Sequence, residues 1–210
     1  MSLPIDVNPW VALALSYLMG SIPFAFLAGK AKGVDLRVVG SGNLGATNVM
    51  RTLGWKWAAP VFIADALKGG IPAGLFPWLI NTQHSDYWAV AYGVAAIAGH
   101  AKPIFLFFRG GGKGVATSAG VFLALAPKAT VASLVVFAVA VNLTGFVSLG
   151  SLLAALTLPI GVALTQGVAS LFFWPSVALA AFVFWTHRAN IGRLRRGEEY
   201  SFRKKAEGGA

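Results

Sequence analysis

The groups in this chain that could do chemistry are nearly all hydrogen-bond donors, and they fall in three segments. The first is GSGNLGATNVMRT (40–52). Gly40, Gly42 and Gly45 let the backbone turn and approach a ligand closely. Ser41, Asn43, Thr47 and Asn48 supply short polar groups, and Arg51 supplies a planar fork suited to phosphate. Thr47 is expected to cap a short helix running through Arg51. The N-terminus of that helix would add backbone N–H groups to an anion site.

The second segment is GHAKPIFLFFRGGGKGVAT (99–117). It holds His100 and the run Gly110, Gly111, Gly112, Lys113, Gly114. The run is not a nucleotide-binding P-loop. That motif needs a glycine where Phe107 stands and a Ser or Thr where Gly114 stands. What remains is a glycine turn, a lysine and a helix opening at Val115, which suits a phosphate nest. Phe105, Phe107 and Phe108 suit an acyl chain or an aromatic belt at a membrane interface. The third segment is HRANIGRLRRGEE (187–199). His187, Asn190 and Arg193 recur at i, i+3 and i+6, so a continuing helix gives them one polar face.

Donor chemistry is what these groups allow. Cysteine is absent, and the basic segments hold few carboxylates: Asp35, Glu198, Glu199 and Glu207. No His, Asp and Glu residues share metal-ligand spacing, so neither a metal nor another cofactor is expected. No histidine is followed by aspartate five positions later, which removes one known acyltransferase base arrangement. Such a site binds anions and stabilises developing negative charge. It is poor at deprotonating a hydroxyl, and so suits a reaction whose leaving group is already good.

The elements that position these segments are membrane helices. The chain is 57% hydrophobic and 11% charged, with mean hydropathy +0.70. A soluble domain of this length does not have that composition. The expected fold is an all-α integral membrane bundle of about seven spans: 9–29, 55–80, 86–106, 115–127, 129–146, 148–165 and 169–187. Fifteen of the seventeen Lys and Arg residues lie in 30–56, 102–113 and 188–205. Cytoplasmic loops carry such an excess, so the N-terminus is expected outside and the C-terminus inside. Residues 1–8 have no base, so the first span does not read as a cleaved signal. One domain, 1–196, and a solvated basic tail, 197–210, account for the length. Gly20, Ser21 and Pro23 predict a kink or a close helix contact in the first span, and Pro159 predicts the same in the sixth. Asp65 and Lys68, three apart in the second span, predict a pair within the membrane.

The runs SGNLGATNVMR, GHAKPIFLFFRGGGKGVAT and HRANIGRLRRGEE, in this order between apolar spans, resemble the three motifs of the PlsY family. These are the acyl-phosphate:glycerol-3-phosphate acyltransferases of bacterial membranes. SIPFAFLAGK (21–30) and DALKG (65–69) extend the resemblance over essentially the whole chain. One position departs: the family's third motif opens Arg-His, whereas Thr186 precedes His187 here. The resemblance implies transfer of a fatty acyl group from acyl phosphate to the 1-hydroxyl of sn-glycerol 3-phosphate. The products would be lysophosphatidic acid and phosphate, made at the cytoplasmic face of the inner membrane in phospholipid synthesis. It implies phosphate binding by Ser41, Gly42, Asn43, Thr47, Asn48, Arg51, His100, Lys113 and the Gly110–Gly114 turn. His187, Asn190 and Arg193 would bind or orient glycerol 3-phosphate. Arg51, Lys113, His187 and Asn190 are the expected catalytic residues. The proton acceptor is left open between a phosphate oxygen of the donor and His187. Membrane lipids are expected neighbours; nucleic acid, CoA, metal and an obligate protein partner are not. The competing expectation is a transporter for an organic phosphate, which would place its site near the midplane.

Overall fold

The computed structural model describes residues 7–80 and 85–202. Residues 203–210 of the expected basic tail, Glu207 among them, lie outside the described residues. The elements are α1 (Pro9–Ser21), α2 (Phe24–Ala31), α3 (Ala46–Leu53), α4 (Trp55–Gly74), α5 (Phe76–Leu79) and α6 (Ser85–Ala101). A 3-10 turn (Ile104–Leu106) follows, then α7 (Val115–Leu125), α8 (Pro127–Thr144), α9 (Val147–Gln166), α10 (Phe173–Thr186) and α11 (Arg188–Arg195). Among the described residues there is no strand.

Five helical segments are long and apolar enough to cross a membrane: Pro9–Ala31, Trp55–Leu79, Ser85–Leu106, Pro127–Thr144 and Val147–Gln166. The fourth and seventh expected spans are the shorter apolar helices Val115–Leu125 and Phe173–Thr186. At 1.5 Å per residue these reach only about 17 and 21 Å, against a hydrocarbon core of about 30 Å. The first span breaks where expected. Ile22 is extended (φ −62, ψ 115) between α1 and α2, because Pro23 disfavours the helical region for the residue before it. Pro159 lies inside α9, which runs through it for 20 residues.

The exposed apolar side chains fit lipid-facing helices. Val131, Val135, Ile160 and Leu164 all point outward from long apolar helices. Trp10, Trp55, Trp78, Trp174 and Trp185 are exposed at helix ends, the level at which aromatic side chains meet the membrane–water interface.

The chain divides into two compact units, residues 1–125 and 126–210. In the first unit, helices approach through glycine, as membrane interfaces favour. A Cβ on Gly20 would collide with the Ala96 backbone, and one on Gly99 with Tyr17 and Gly20, so α1 and α6 pack without side chains between them. Gly69 and Gly120 do the same for α4 and α7, against Thr117 and Ala66. A separate apolar cluster of Ala25, Ala28, Leu36, Leu44, Val49, Ala58 and Val61 lies beneath the first polar segment. It fixes that segment to α2, α3 and α4.

In the second unit, α8 and α9 are joined through Gly145 (φ 76) and pack through Gly161 on Ala129 and Gly150 on Phe137. The start of the expected solvated tail is instead folded. The Phe202 amide donates to the Gly145 carbonyl at 3.0 Å, and Glu199 and Ser201 are buried. Gly197 (φ 71) ends α11 in a left-handed turn. Its amide donates to the Leu194 carbonyl, and the Glu198 amide to that of Arg193. This Schellman geometry sends the chain back onto α11.

Candidate functional site

In the first unit, the loop preceding α3 is organised by one buried side chain. Asn48 is 0% exposed. Its Oδ1 accepts from the Ser41 amide at 2.9 Å, and its Nδ2 donates to the carbonyls of Leu36 and Val39, each at 3.0 Å. Both amide hydrogens are therefore used. This corrects the expectation that Asn48 binds phosphate: it has no donor left, and it holds the loop instead. Gly40 (φ 67) is the position where the Asn48 amide crosses the backbone, and a Cβ there would collide with Oδ1. Thr47 is not the cap expected of it. The cap position of α3 is Gly45, without a side-chain hydrogen bond, and Thr47 lies inside the helix. Ser41 is exposed, while Gly42, Asn43 and Thr47 are half-buried around the loop. Arg51 is half-buried in the last turn of α3. Helical side chains slant toward the N-terminus, so an arginine there can reach back along its helix.

Asp35 and Arg37, just before this loop, neutralise each other. The Arg37 guanidinium donates to the Asp35 carboxylate at 2.8–3.2 Å. Those hydrogen bonds hold the Asp35 carboxyl down to about 2. The Gly110–Gly112 turn lies beside the first loop: the Leu44 carbonyl borders Gly112, and its side chain and that of Arg37 border Gly110. Gly110 (φ 69) and Gly114 (φ 81) take the left-handed backbone that glycine tolerates. Lys113, half-buried, stands between the turn and the first residue of α7. The structure thus brings the first two polar segments together around Leu44.

His100 is placed differently from its expected role as a phosphate ligand. It is buried in the last turn of α6, and Nδ1 is 3.6 Å from Asp65 Oδ1. Lys68 Nζ is 2.7 Å from the same oxygen, so the expected Asp65–Lys68 pair forms. Gly110, Gly111, Gly112, Leu44, Asp65 and His100 share one small cavity.

In the second unit, His187 separates α10 from α11 (φ −97, ψ 8) rather than lying within one helix. Its Nδ1 is 2.9 Å from the Val183 carbonyl. A carbonyl only accepts, so the proton is assigned to Nδ1, and a neutral ring then presents Nε2 as its acceptor. Asn190 Nδ2 donates to Glu199 Oε1 at 2.6 Å, and Arg193 Nε donates to Oε2 at 2.8 Å. Burial pushes the Glu199 carboxyl up, but these donors outweigh it and hold it below its ordinary 4.5. Arg193 therefore has one donor committed inside the protein. Reading the sequence assigned Glu199 to the tail and missed it. The signal available was Gly197 at the helix end, a common reversal point.

Among the described residues, no three His, Cys, Asp or Glu side chains converge. The carboxylates of Asp65 and Glu199 are each held by a cation. Ser41, Arg51 and Lys113 supply donors and no carboxylate.

The comparisons with known proteins agree with this inventory. The family described as glycerol-3-phosphate acyltransferase matches residues 10–197. The chain is 46% identical over 196 residues to a glycerol-3-phosphate acyltransferase of Anaeromyxobacter dehalogenans strain 2CP-C, covering 92% of this chain and 97% of that protein. It is 45% identical over 189 residues to one from Geotalea daltonii, covering 90% and 95%. Its fold matches a crystal structure of PlsY (YgiH), an integral membrane glycerol 3-phosphate acyltransferase, in the glycerol 3-phosphate form. The TM-score is 0.84 at 37% identity, over 92% of this chain and 95% of that one. The lysophosphatidic acid form of the same enzyme matches with TM-score 0.80 at 35% identity, over the same shares. With the first two motifs and all but the last two residues of the third inside the matched residues, the chain belongs to the glycerol-3-phosphate acyltransferase family.

Proposed function

We propose that this protein transfers a fatty acyl group from acyl phosphate to the 1-hydroxyl of sn-glycerol 3-phosphate, releasing lysophosphatidic acid and phosphate. The observation that carries the reading is the pairing of family membership with half-buried Arg51, in the last turn of α3, and half-buried Lys113, beside the glycine turn, in segments whose carboxylate, Asp35, is paired with Arg37. Glycerol-3-phosphate acylation follows from the family. The donor follows from the chemistry: a site made of donors, without a strong base, suits a mixed anhydride whose phosphate leaves readily.

In this reaction the hydroxyl oxygen attacks the acyl carbonyl carbon. The bond from that carbon to the phosphate oxygen breaks, and phosphate leaves with the electron pair. Arg51, Lys113, Ser41 and the amides of the Gly110–Gly112 turn bind phosphate and stabilise the charge that develops on it. His187, Asn190 and the terminal nitrogens of Arg193 orient glycerol 3-phosphate. The hydroxyl proton passes to a phosphate oxygen of the donor or to His187 Nε2. Asn43, Gly42 and Thr47 shape the loop around the phosphate.

The family match runs from residue 10 to 197, across both compact units, and supports reading 1–196 as one functional domain. The charge pattern supports a bacterial inner-membrane location with the basic loops on the cytoplasmic face. The test is purified protein supplied with acyl phosphate and glycerol 3-phosphate. Lysophosphatidic acid and phosphate should appear in equal amounts, with chelator present or absent. Uptake of glycerol 3-phosphate into sealed vesicles without acylation would replace this reading with transport.

A further inference from the structure

Three ionisable side chains lie deep in the first unit and take no direct part in the reaction just described. Asp65, Lys68 and His100 are 2%, 4% and 7% exposed. Asp65 and Lys68 stand in the middle of a span, where charges are costly and seldom kept without a role. Buried ion pairs are poor stabilisers compared with apolar packing. Stability alone is therefore a weak reason for them.

Their contacts tie three separate points together. Lys68 Nζ donates to the Ile22 carbonyl at 2.8 Å, at the break between α1 and α2. It is 2.7 Å from Asp65 Oδ1, which is 3.6 Å from His100 Nδ1. The far side of the His100 ring lies against Gly112, where a Cβ would collide with Nε2. The Gly112 amide donates to the His100 carbonyl at 3.2 Å. A Cβ on Gly111 would collide with the Ala101 carbonyl. The glycine turn is thus seated on the end of α6, and His100 is the side chain under it. The next residue along is Lys113.

We infer that Asp65, Lys68 and His100 are positioning residues, which fix the Gly110–Gly112 turn against the end of α6 and so set the place of Lys113. The consequence for catalysis rests on the acyltransferase reading; the mechanical claim does not. Lys68 anchors Asp65 to the helix break, Asp65 orients the imidazole, and the imidazole supports the turn.

Two readouts test this. The chain has no cysteine, so Lys113→Cys introduces a single thiol that reports on the turn. Adding His100→Ala or Asp65→Asn should change its rate of reaction with a water-soluble thiol reagent by about fivefold or more, through local opening of the turn. In the Lys113-bearing enzyme, His100→Ala should lower kcat/KM by roughly 10- to 100-fold, the scale of a misplaced binding group. His100→Asn, which restores a donor in the place of Nδ1, should recover part of that, whereas His100→Leu should not. A merely structural role would lower the yield and thermal midpoint, yet leave both quantities unchanged per folded molecule. If Asp65→Asn fails to fold, the His100 series decides. An unchanged labelling rate, or a kcat/KM for His100→Ala within about twofold of wild type, overturns the inference. If the wild type shows no acyl transfer, the proposed activity fails, while the labelling rates still decide on the network.

Discussion

Asn190 donates to Glu199 at 2.6 Å, and both residues are buried. The carboxylate arrives from beyond the end of α11, returned by the turn at Gly197, and holds the third motif's amide and Arg193 in place. Glu199→Gln keeps an acceptor for one partner but turns an amide donor toward the other. The expected loss is about 1.5–3 kcal/mol, the range for a hydrogen bond to a charged group. A lower thermal midpoint in detergent, with a higher KM for glycerol 3-phosphate, is the result to look for. An unchanged midpoint would remove the structural role given to this contact.

The same residue sets a pH dependence. Folding lowers the Glu199 carboxyl below its ordinary 4.5. A group depressed in this way contributes stability that is fully present above the unfolded value, and lost as pH falls through the folded one. The stability difference between wild type and Glu199→Gln should therefore be constant from pH 8 to about pH 5 and shrink below about 4.5. Thermal midpoints across that range measure it. A difference that grew on acidification would have the wrong sign.

Much of this arrangement can be read from the residues, and the exceptions have physical causes. Pro23 breaks the first span because a proline constrains its neighbour locally. Pro159 sits inside a continuous α9, since a packed helix can carry a proline when neighbouring groups accommodate it. The helix through Arg51 is legible, but its cap is not: Gly45 takes the place expected of Thr47. Asn48 looks like a ligand because it is short and polar among glycines. Its three partners come from as far back as Leu36, and no local pattern shows them. Glu199 is hidden for the same reason, in a run of charges that resembles a solvated tail. The buried pairing of Asp65 with Lys68 is legible from spacing; its extension to His100, thirty-five residues away, depends on how α4 meets α6.

Asn48 offers a test of loop organisation separate from charge. Asn48→Asp removes two donors that face the Leu36 and Val39 carbonyls and adds a buried anion. At about 1 kcal/mol for each ordinary hydrogen bond, with more for an unsatisfied buried group, the loss should exceed roughly 2 kcal/mol. Asn48→Ala should cost similarly. Both variants should unfold earlier and lose activity. If Asn48→Ala kept wild-type stability and lost only phosphate affinity, the side chain would be a ligand after all.

Topology can be tested with single cysteines in the cysteine-free chain. From charge asymmetry, Ser85, at the start of α6, and Arg195, at the end of α11, are predicted to lie on opposite sides of the membrane. In intact cells an impermeant thiol reagent should label Ser85→Cys and spare Arg195→Cys, with both labelled after the membrane is opened. The reverse pattern would invert the orientation. Equal labelling of both before opening would place the two positions on one side.

The proposed phosphate contacts make the sharpest demand on kinetics. Arg51 and Lys113 are half-buried, where a charge-assisted hydrogen bond contributes about 1.5–3 kcal/mol. Arg51→Ala and Lys113→Ala should each lower kcat/KM by at least about tenfold. Arg51→Lys should recover little if the fork binds two oxygens at once, because an ammonium is a point donor. Arg196 is the control. It is exposed and paired with exposed Glu198 at 2.8 Å, and such a pair is worth at most about 1 kcal/mol. Arg196→Ala should leave turnover nearly intact. Were it as damaging as Arg51→Ala, general positive charge rather than a localised site would govern the reaction, and the assignment of Arg51 and Lys113 to phosphate would fail.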